Sequence, residues 1–252
     1  MFHKPFSTAI AFLIAASLVW AGGDPWKSKP YQQWDEKDVR RIFNDSPWAK
    51  VVQIPNDSAT PSGAIPSAPD PGGSGQGGRT MMGGQTSRPS NPADNPLPQT
   101  TENPQTAYVV RWASSRTIRE AAVRAAILKG QFQQADAAKE LAQPIDTYQV
   151  LVAGPDMKAF QTLDEPSLKG ATVLQLKRSK EKLAPSDVKF EYGPDGRSIL
   201  SVLFSFPKKS ANGEPAIASN EKSADFSTSA ARQKIGASFD LTKMEDSQGR
   251  DL

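Results

Sequence analysis

The sequence predicts an α+β fold: a mainly antiparallel sheet with helices packed on one face, interrupted by a long disordered insert. Three features of the 252-residue chain indicate this fold. Short segments of alternating apolar and polar residues dominate the second half, two segments have helical periodicity, and a stretch rich in proline and glycine separates the early elements from the later ones.

The first 21 residues have the pattern of a secretory signal peptide. Lys4 supplies a positive charge, residues 9–20 are almost entirely apolar, and Val19 and Ala21 are small residues suited to signal peptidase. A retained membrane anchor is the weaker alternative, because the apolar run is shorter than the ~20 residues that a spanning helix needs. We expect export to the periplasm or the extracellular space, and no transmembrane segment after cleavage.

Residues 22–54 predict a helix followed by a strand. Asp35 is placed to cap the helix, whose apolar residues recur on one face, and the turn at residues 44–47 ends it. Residues 49–54 then alternate as a strand does. A piece of roughly 30 residues is too small to form its own core, so we expect it to dock on the main domain.

Residues 55–106 are predicted to be a disordered insert. The stretch is rich in proline and glycine and has no aromatic residue from Pro55 to Pro104, so it buries too little apolar surface to offset chain entropy. A tolerated surface insertion is favoured, because long loops cost little closure entropy. A tether or a protein-binding strip is the functional alternative.

The strand after the insert is predicted at residues 107–113 (AYVVRWA). We expect it to lie beside residues 49–54 in one sheet, with the insert looping out between them. The predicted organisation is a signal peptide at 1–21, a docking helix and strand at 22–54, the insert at 55–106, and a main α+β domain at 107–252.

Within the main domain, a helix is predicted to begin at Thr117, whose spacing to Glu120 is that of a capping box, and to end near Gly130. Glu120 is also spaced to pair with Arg124. A second helix is predicted near 132–142 and a short one near 157–163. The predicted strands cover residues 148–153, 171–178, 188–192, 200–206, 224–228 and 235–241.

The composition excludes several kinds of chemistry. The chain has no cysteine, and its one histidine, His3, lies in the predicted leader. Without these residues the mature protein cannot carry disulfides, imidazole or thiolate metal sites, or a Ser-His-Asp triad. We therefore assign no catalytic residue, no metal ligand and no cofactor. The net charge of +3 is too small to indicate nucleic-acid binding.

Aromatic residues are concentrated near the N-terminus. Trp26, Trp34 and Trp48 are possible ligand-contact residues, because aromatic faces are common in sites that bind sugar rings or peptides. The structural alternative, which we favour, is that these indoles anchor a small segment onto the sheet by burying a large apolar area.

Both ordered parts of the chain resemble a family of uncharacterised secreted bacterial proteins with an N-terminal Trp/Pro motif (SPWAK). The likeness rests on DPWKSKPYQQWDEKDVRRIFNDSPWAKVV, on the Pro/Gly-rich stretch that follows, and on VVRWASSRTIREA and SVLFSFPKK. The resemblance implies export and a shared fold. It implies no activity, because none is assigned to that family, so no site residue is carried over.

The function predicted from these features is that of an exported, non-enzymatic binding or envelope-associated structural domain, whose partner is an unknown protein or a cell-envelope polymer. The alternative is a glycoside hydrolase acting on cell-wall or extracellular polysaccharide through two carboxylates ~5 or ~6.5–9.5 Å apart. Proximity in the sequence gives three candidate groups for such a pair, Asp35/Glu36/Asp38, Asp164/Glu165 and Asp187/Glu191.

Limited proteolysis tests the predicted organisation. A trypsin-like protease should cut rapidly at Arg79 and Arg88 within the insert, because a chain without a packed core exposes its backbone. The two flanking fragments should stay associated, as size-exclusion chromatography and mass measurement would show. Release and degradation of the N-terminal fragment would contradict the single-domain organisation.

Overall fold

The computed structural model describes residues 23–55, 105–210 and 212–252. The predicted signal peptide and nearly all of the predicted insert lie outside these residues. The helices are α1 Pro25–Ser28, α2 Glu36–Asn44, α3 Arg116–Leu128, α4 Ala137–Leu141 and α5 Glu165–Ala171. The strands are β1 Ala49–Pro55, β2 Gln105–Trp112, β3 Thr147–Ala153, β4 Val173–Leu176, β5 Lys182–Leu183, β6 Asp187–Tyr192, β7 Ile199–Pro207, β8 Ser223–Ala230, β9 Gln233–Asp240, β10 Glu245–Asp246 and β11 Gly249–Arg250.

The strands form two larger sheets and a short ribbon. The first sheet has the order β1-β2-β3-β7-β6, the second has the order β5-β4-β8-β9, and β10 pairs with β11. The strand pairs are antiparallel. Helices α2 and α3 pack against each other, α2 also contacts β1, and α5 contacts β6 and β8. The predicted α+β fold with mainly antiparallel pairing is therefore confirmed, whereas its division into two sheets was not predicted.

The two sheets share one apolar core. Phe204 of β7 lies 5.4 Å, centroid to centroid, from Phe226 of β8, and Trp112 of β2 lies 5.3 Å from Phe239 of β9. Alternate residues of these strands are buried, as in β2, where Tyr108, Val110 and Trp112 face inward. The Trp112–Phe239 pair is edge-to-face and the Phe204–Phe226 pair is tilted, and such ring contacts add to the free energy gained by burying the rings.

Strands β1 and β2 pair as the sequence predicted, in a register that runs from Ala49 opposite Arg111 to Pro55 opposite Gln105. The pairing extends past the predicted boundaries of the insert, since Pro55, Gln105 and Thr106 belong to the strands. Pro55 is tolerated there because it ends an edge strand, where its missing N–H breaks no continuous ladder.

Helix α3 begins one residue earlier than predicted. Ser115 caps it by accepting a hydrogen bond from the backbone N–H of Ile118 at 3.2 Å. The predicted capping box between Thr117 and Glu120 is wrong, because the N–H of Thr117 donates instead to the carboxylate of Asp251 at 2.9 Å. The carboxylate of Asp251, far along the chain, therefore takes the place predicted for the side chain of Glu120.

Other local predictions differ in extent. The second predicted helix is only α4 preceded by a 3₁₀ turn at Gln134–Asp136, and the third is a 3₁₀ turn at Lys158–Phe160. Helix α5 was missed, although Asp164 caps it by accepting from the N–H of Ser167 at 2.9 Å. All but its last residue lie between the predicted helix near 157–163 and the predicted strand at 171–178, where the sequence analysis assigned no element.

Asp251 joins three distant parts of the fold. Its carboxylate accepts hydrogen bonds from the backbone N–H groups of Arg116, at 2.6 Å, and of Thr117. Its backbone carbonyl accepts the indole N–H of Trp48 at 2.7 Å. A carboxylate at a helix N-terminus also interacts favourably with the helix dipole. The C-terminal residues therefore fix both α3 and the N-terminal segment.

Among the helices of the described residues, none combines the length and the apolar character that a membrane span requires.

Replacing Asp251 by asparagine should lower the free energy of unfolding by about 2 kcal/mol, because one charged acceptor of a backbone N–H becomes an amide donor facing that N–H. Asp136→Asn is the matched control, since Asp136 is exposed and caps no helix through its side chain. Urea unfolding followed by circular dichroism measures both. Equal stabilities of the two variants would contradict the role given to Asp251.

Candidate functional site

The three tryptophans singled out from the sequence are buried. Trp26, Trp34 and Trp48 have exposed fractions of 5%, 1% and 0%. Trp26 packs edge-on against Trp48 with centroids 5.6 Å apart, and the indole N–H of Trp34 donates to the carbonyls of Pro25 and Lys29, each at 3.2 Å. The three indoles are therefore buried, as the structural interpretation of these residues expects.

Trp26 and Trp34 also line a cleft of about 300 Å³, whereas Trp48 does not. We call it the tryptophan cleft. Three parts of the chain form its walls: the N-terminal segment, α3 and the β10–β11 ribbon. Its lining residues are Trp26, Lys29, Pro30, Tyr31, Gln32, Trp34, Glu120, Asp246, Ser247 and Gln248.

Glu120 is the chemically unusual residue of the tryptophan cleft. The pKa of its carboxyl is raised from 4.5 to about 7, mainly by burial; the charge of Arg116 opposes this shift, and the charges of Asp246 and Asp251 contribute to it. Within the described ranges the Glu120 side chain has no hydrogen-bond or ion-pair partner. An acid that titrates near neutral pH and faces a cleft is a candidate functional group.

The predicted pairing of Glu120 with Arg124 is wrong. The Nε–H of Arg124 donates to the backbone carbonyl of Trp34 at 2.7 Å, which ties α3 to the N-terminal segment. The spacing along the helix is correct for an ion pair, but a buried carbonyl competes for the guanidinium. Glu120 is left without its expected cation.

Asp246 is, by contrast, fully engaged. Arg116 donates to its two carboxylate oxygens through Nε and Nη2, both at 2.7 Å, and the backbone N–H of Gln248 donates at 2.7 Å. The Nη1 of Arg116 also donates to the side-chain oxygen of Gln248 at 2.5 Å. This bidentate ion pair holds the β10–β11 ribbon against the start of α3.

The acids proposed from the sequence occupy structural positions outside the tryptophan cleft. Asp35 and Asp38 form the capping box of α2, and Glu36 lies in the first turn of that helix. Asp164 caps α5, with Glu165 in its first turn. Asp187 pairs with Lys169 and Lys189, and Glu191 accepts the hydroxyl of Ser201 at 2.6 Å.

The two acids that the fold brings to one cleft, Glu120 and Asp246, were missed by the sequence analysis. They lie far apart in the chain, and no spacing rule connects them. The one available signal was the capping-box position of Glu120, which pointed to a structural role. In the described ranges, no three acidic, histidine or cysteine side chains are grouped closely enough to hold a metal ion.

The tryptophan cleft combines apolar ring surface with groups that form hydrogen bonds. Tyr31 is partly exposed and lies 6.4 Å, centroid to centroid, from Trp34. Gln32, Ser247 and Gln248 add polar side chains. The ammonium group of Lys29 is 2.9 Å from Asp38 and is neutralised there. The cleft therefore has a neutral to acidic character that depends on the protonation of Glu120.

Comparison with known proteins identifies no family: no family model and no curated protein matches the chain. Among solved structures, the N-terminal part of the bacterial S-layer protein SbsC is similar at a TM-score of 0.21 and 14% identity. The similarity covers 54% of this chain and 30% of that one, so the chain spans less than a third of that structure. A TM-score this low supports no argument about fold or function.

Replacing Glu120 by glutamine should change how stability depends on pH. The folded state keeps a proton on Glu120 between pH 4.5 and about 7, where the unfolded state has lost it. Raising the pH through this window should therefore destabilise the wild-type protein by about 1–2 kcal/mol, since each pKa unit corresponds to about 1.4 kcal/mol and solvent screening of the partly exposed carboxyl reduces the total. Above pH 7 the glutamine variant should be the more stable protein.

Urea unfolding of both proteins across this pH range measures the difference. Glu165→Gln is the matched control, because Glu165 is an exposed helical glutamate outside the cleft and its replacement should leave the pH dependence unchanged. Parallel stability profiles of wild type and Glu120→Gln would show that Glu120 has an ordinary pKa.

Proposed function

We propose that the protein is an exported, non-enzymatic binding domain that recognises a sugar ring of a cell-envelope or extracellular polysaccharide in the tryptophan cleft. Export rests on the predicted leader, which lies outside the described residues. The ligand assignment is supported above all by the Glu120 carboxyl, which has no hydrogen-bond or ion-pair partner among the described residues and lies in the same cleft as the ring of Tyr31.

A sugar ring presents two kinds of surface, and the tryptophan cleft has a counterpart for each. The C–H face of the ring packs on aromatic side chains such as Tyr31, and the hydroxyl groups need donors and acceptors such as Gln32, Gln248 and Glu120. The volume of about 300 Å³ lies at the small end of ligand sites, which suits one ring rather than a large ligand.

The raised pKa of Glu120 makes binding depend on pH. Below about pH 7 the carboxyl keeps its proton and can donate one hydrogen bond to a sugar hydroxyl as well as accept another. Above this value it is an acceptor only. When the carboxyl is protonated, the binding of a neutral sugar does not remove an ionised carboxylate from water, and this free-energy cost is avoided. Binding should therefore be tighter at the lower pH.

Glycoside hydrolysis is the second candidate, because Glu120 has the raised pKa of a general acid and shares its cleft with Asp246. The contacts of Asp246 argue against it. Both oxygens of Asp246 accept from Arg116, and Oδ1 accepts also from the backbone of Gln248. A carboxylate held this way serves to fix the ribbon and is poorly placed to attack a substrate carbon.

Tyr31→Ala should weaken the binding of soluble oligosaccharides of glucose or N-acetylglucosamine about tenfold, because it removes the exposed ring face. Tyr192→Ala is the matched control: Tyr192 is 53% exposed and lies on β6, outside the cleft. Isothermal titration calorimetry measures affinity, and thermal unfolding verifies that both variants fold. The absence of binding by the wild type, or equal weakening by both variants, would refute the proposal.

The same oligosaccharides distinguish binding from hydrolysis. A binding domain should release no new reducing ends, and Glu120→Gln should keep most of the affinity while losing its pH dependence. A hydrolase should release reducing ends, and Glu120→Gln should abolish that release.

A further inference from the structure

A second cleft, of about 400 Å³, lies where edge strand β1 of the first sheet meets edge strand β9 of the second. We call it the lysine cleft. Its charged side chains are Lys50, Lys222, Lys243 and Asp240, and its hydroxyl groups come from Ser223, Ser238 and Thr242. Three ammonium groups thus share one concave surface with a single carboxylate.

The one carboxylate of the lysine cleft is already engaged. Asp240 accepts hydrogen bonds from the backbone N–H and the hydroxyl of Thr242, at 3.1 and 2.6 Å, and lies 3.6 Å from the ammonium of Lys243. Lys222 has no ion-pair partner in the described part of the chain. Lys50 donates only to the backbone carbonyl of Ser46, at 3.4 Å.

The ammonium group of Lys50 lies in an unfavourable environment. Burial lowers the pKa of Lys50, and the charge of Lys243 lowers it further, while Asp45 and Asp240 oppose the shift. These are the charged groups that act on Lys50. Partial burial of an ammonium beside a like charge is unfavourable unless an anion compensates it.

The backbone that carries the lysine cleft is rigid. Ser223 lies opposite Asp240 in the β8–β9 pairing, and the N–H of Leu241 donates to the carbonyl of Lys222 at 2.9 Å. Lys50 is held within the β1–β2 ladder, opposite Val110. These hydrogen bonds fix the backbone positions of the lining residues in advance, which reduces the entropy lost on binding a ligand.

We propose that the lysine cleft is a binding site for a phosphate group. The donors come from three parts of the chain, with Lys50 on β1, Lys222 just before β8 and Lys243 just after β9, and a phosphate group has more oxygens than a carboxylate to accept from them. The hydroxyls of Ser223 and Ser238 make no hydrogen bond within the described ranges and are available as further donors. The phosphate can be free or part of a phosphate ester, which share the same oxyanion chemistry.

Titration of the full-length protein with inorganic phosphate, followed by NMR of the lysine side chains, tests the site. Phosphate should shift the Lys50 and Lys222 resonances saturably and raise the pKa of Lys50. Acetate at matched ionic strength should not. Glycerol 3-phosphate and dimethyl phosphate serve as mono- and diester probes: tighter binding of either than of inorganic phosphate identifies an ester as the ligand, and the reverse order identifies free phosphate.

Lys222→Gln should weaken phosphate binding about tenfold, because one charged donor is lost. Its side chain is exposed, so the variant should fold normally. Lys234→Gln is the matched control, since Lys234 is an exposed lysine of β9 outside the cleft. Equal effects of the two variants, or equal shifts with phosphate and acetate, would show nonspecific charge attraction and overturn the proposal. Because the tryptophan cleft is a separate site, neither result depends on sugar binding.

Discussion

The hydrogen bonds of Asp251 are the constraint on which the candidate site depends. The carboxylate caps the start of α3, and the backbone carbonyl of the same residue holds the indole of Trp48. Because the start of α3 is fixed by Asp251, Arg116 is placed to donate hydrogen bonds to Asp246 of the β10–β11 ribbon, and Glu120 faces the tryptophan cleft. Because Trp48 is fixed there, Trp26 has a surface to pack against. Asp251 thus helps to position segments that lie far apart in the sequence and together form the tryptophan cleft.

The sequence was informative where the determining interactions are local. The helix around Ile42 could be predicted from its capping residue and apolar stripe, and the pairing of β1 with β2 from their composition and from the need to dock a small segment. Burial of the indoles followed from the same need. Alternation in the second half of the chain located most of the later strands, but it does not specify which strands pair, so the second sheet was not foreseen.

The candidate site could not be predicted, because it depends on partners that only the folded chain brings together. Glu120 and Arg124 have the spacing of an ion pair, and in an isolated helix they would form one. In the fold, the carbonyl of Trp34 takes the guanidinium, and Glu120 is left beside the carboxylates of Asp246 and Asp251. Likewise, the three cations of the lysine cleft come from three separate parts of the chain and form no cluster in the sequence. The net charge of +3 for the whole chain does not indicate the local charge in either cleft.

The two clefts share a physical property that packing alone does not explain. Each holds a titratable group in an unfavourable environment: a partly buried acid without an ion-pair partner in the described residues in one, and a partly buried ammonium near another ammonium in the other. A glutamine at position 120 or at position 50 could fill similar space without the charge penalty, so neither group is required for the stability of the fold. Groups that lower stability and line a concave surface are typical of sites where a ligand supplies the missing partner. A hydrogen-bonding hydroxyl group would supply it at Glu120 and an oxyanion at Lys50, so the two proposed sites would take different ligands.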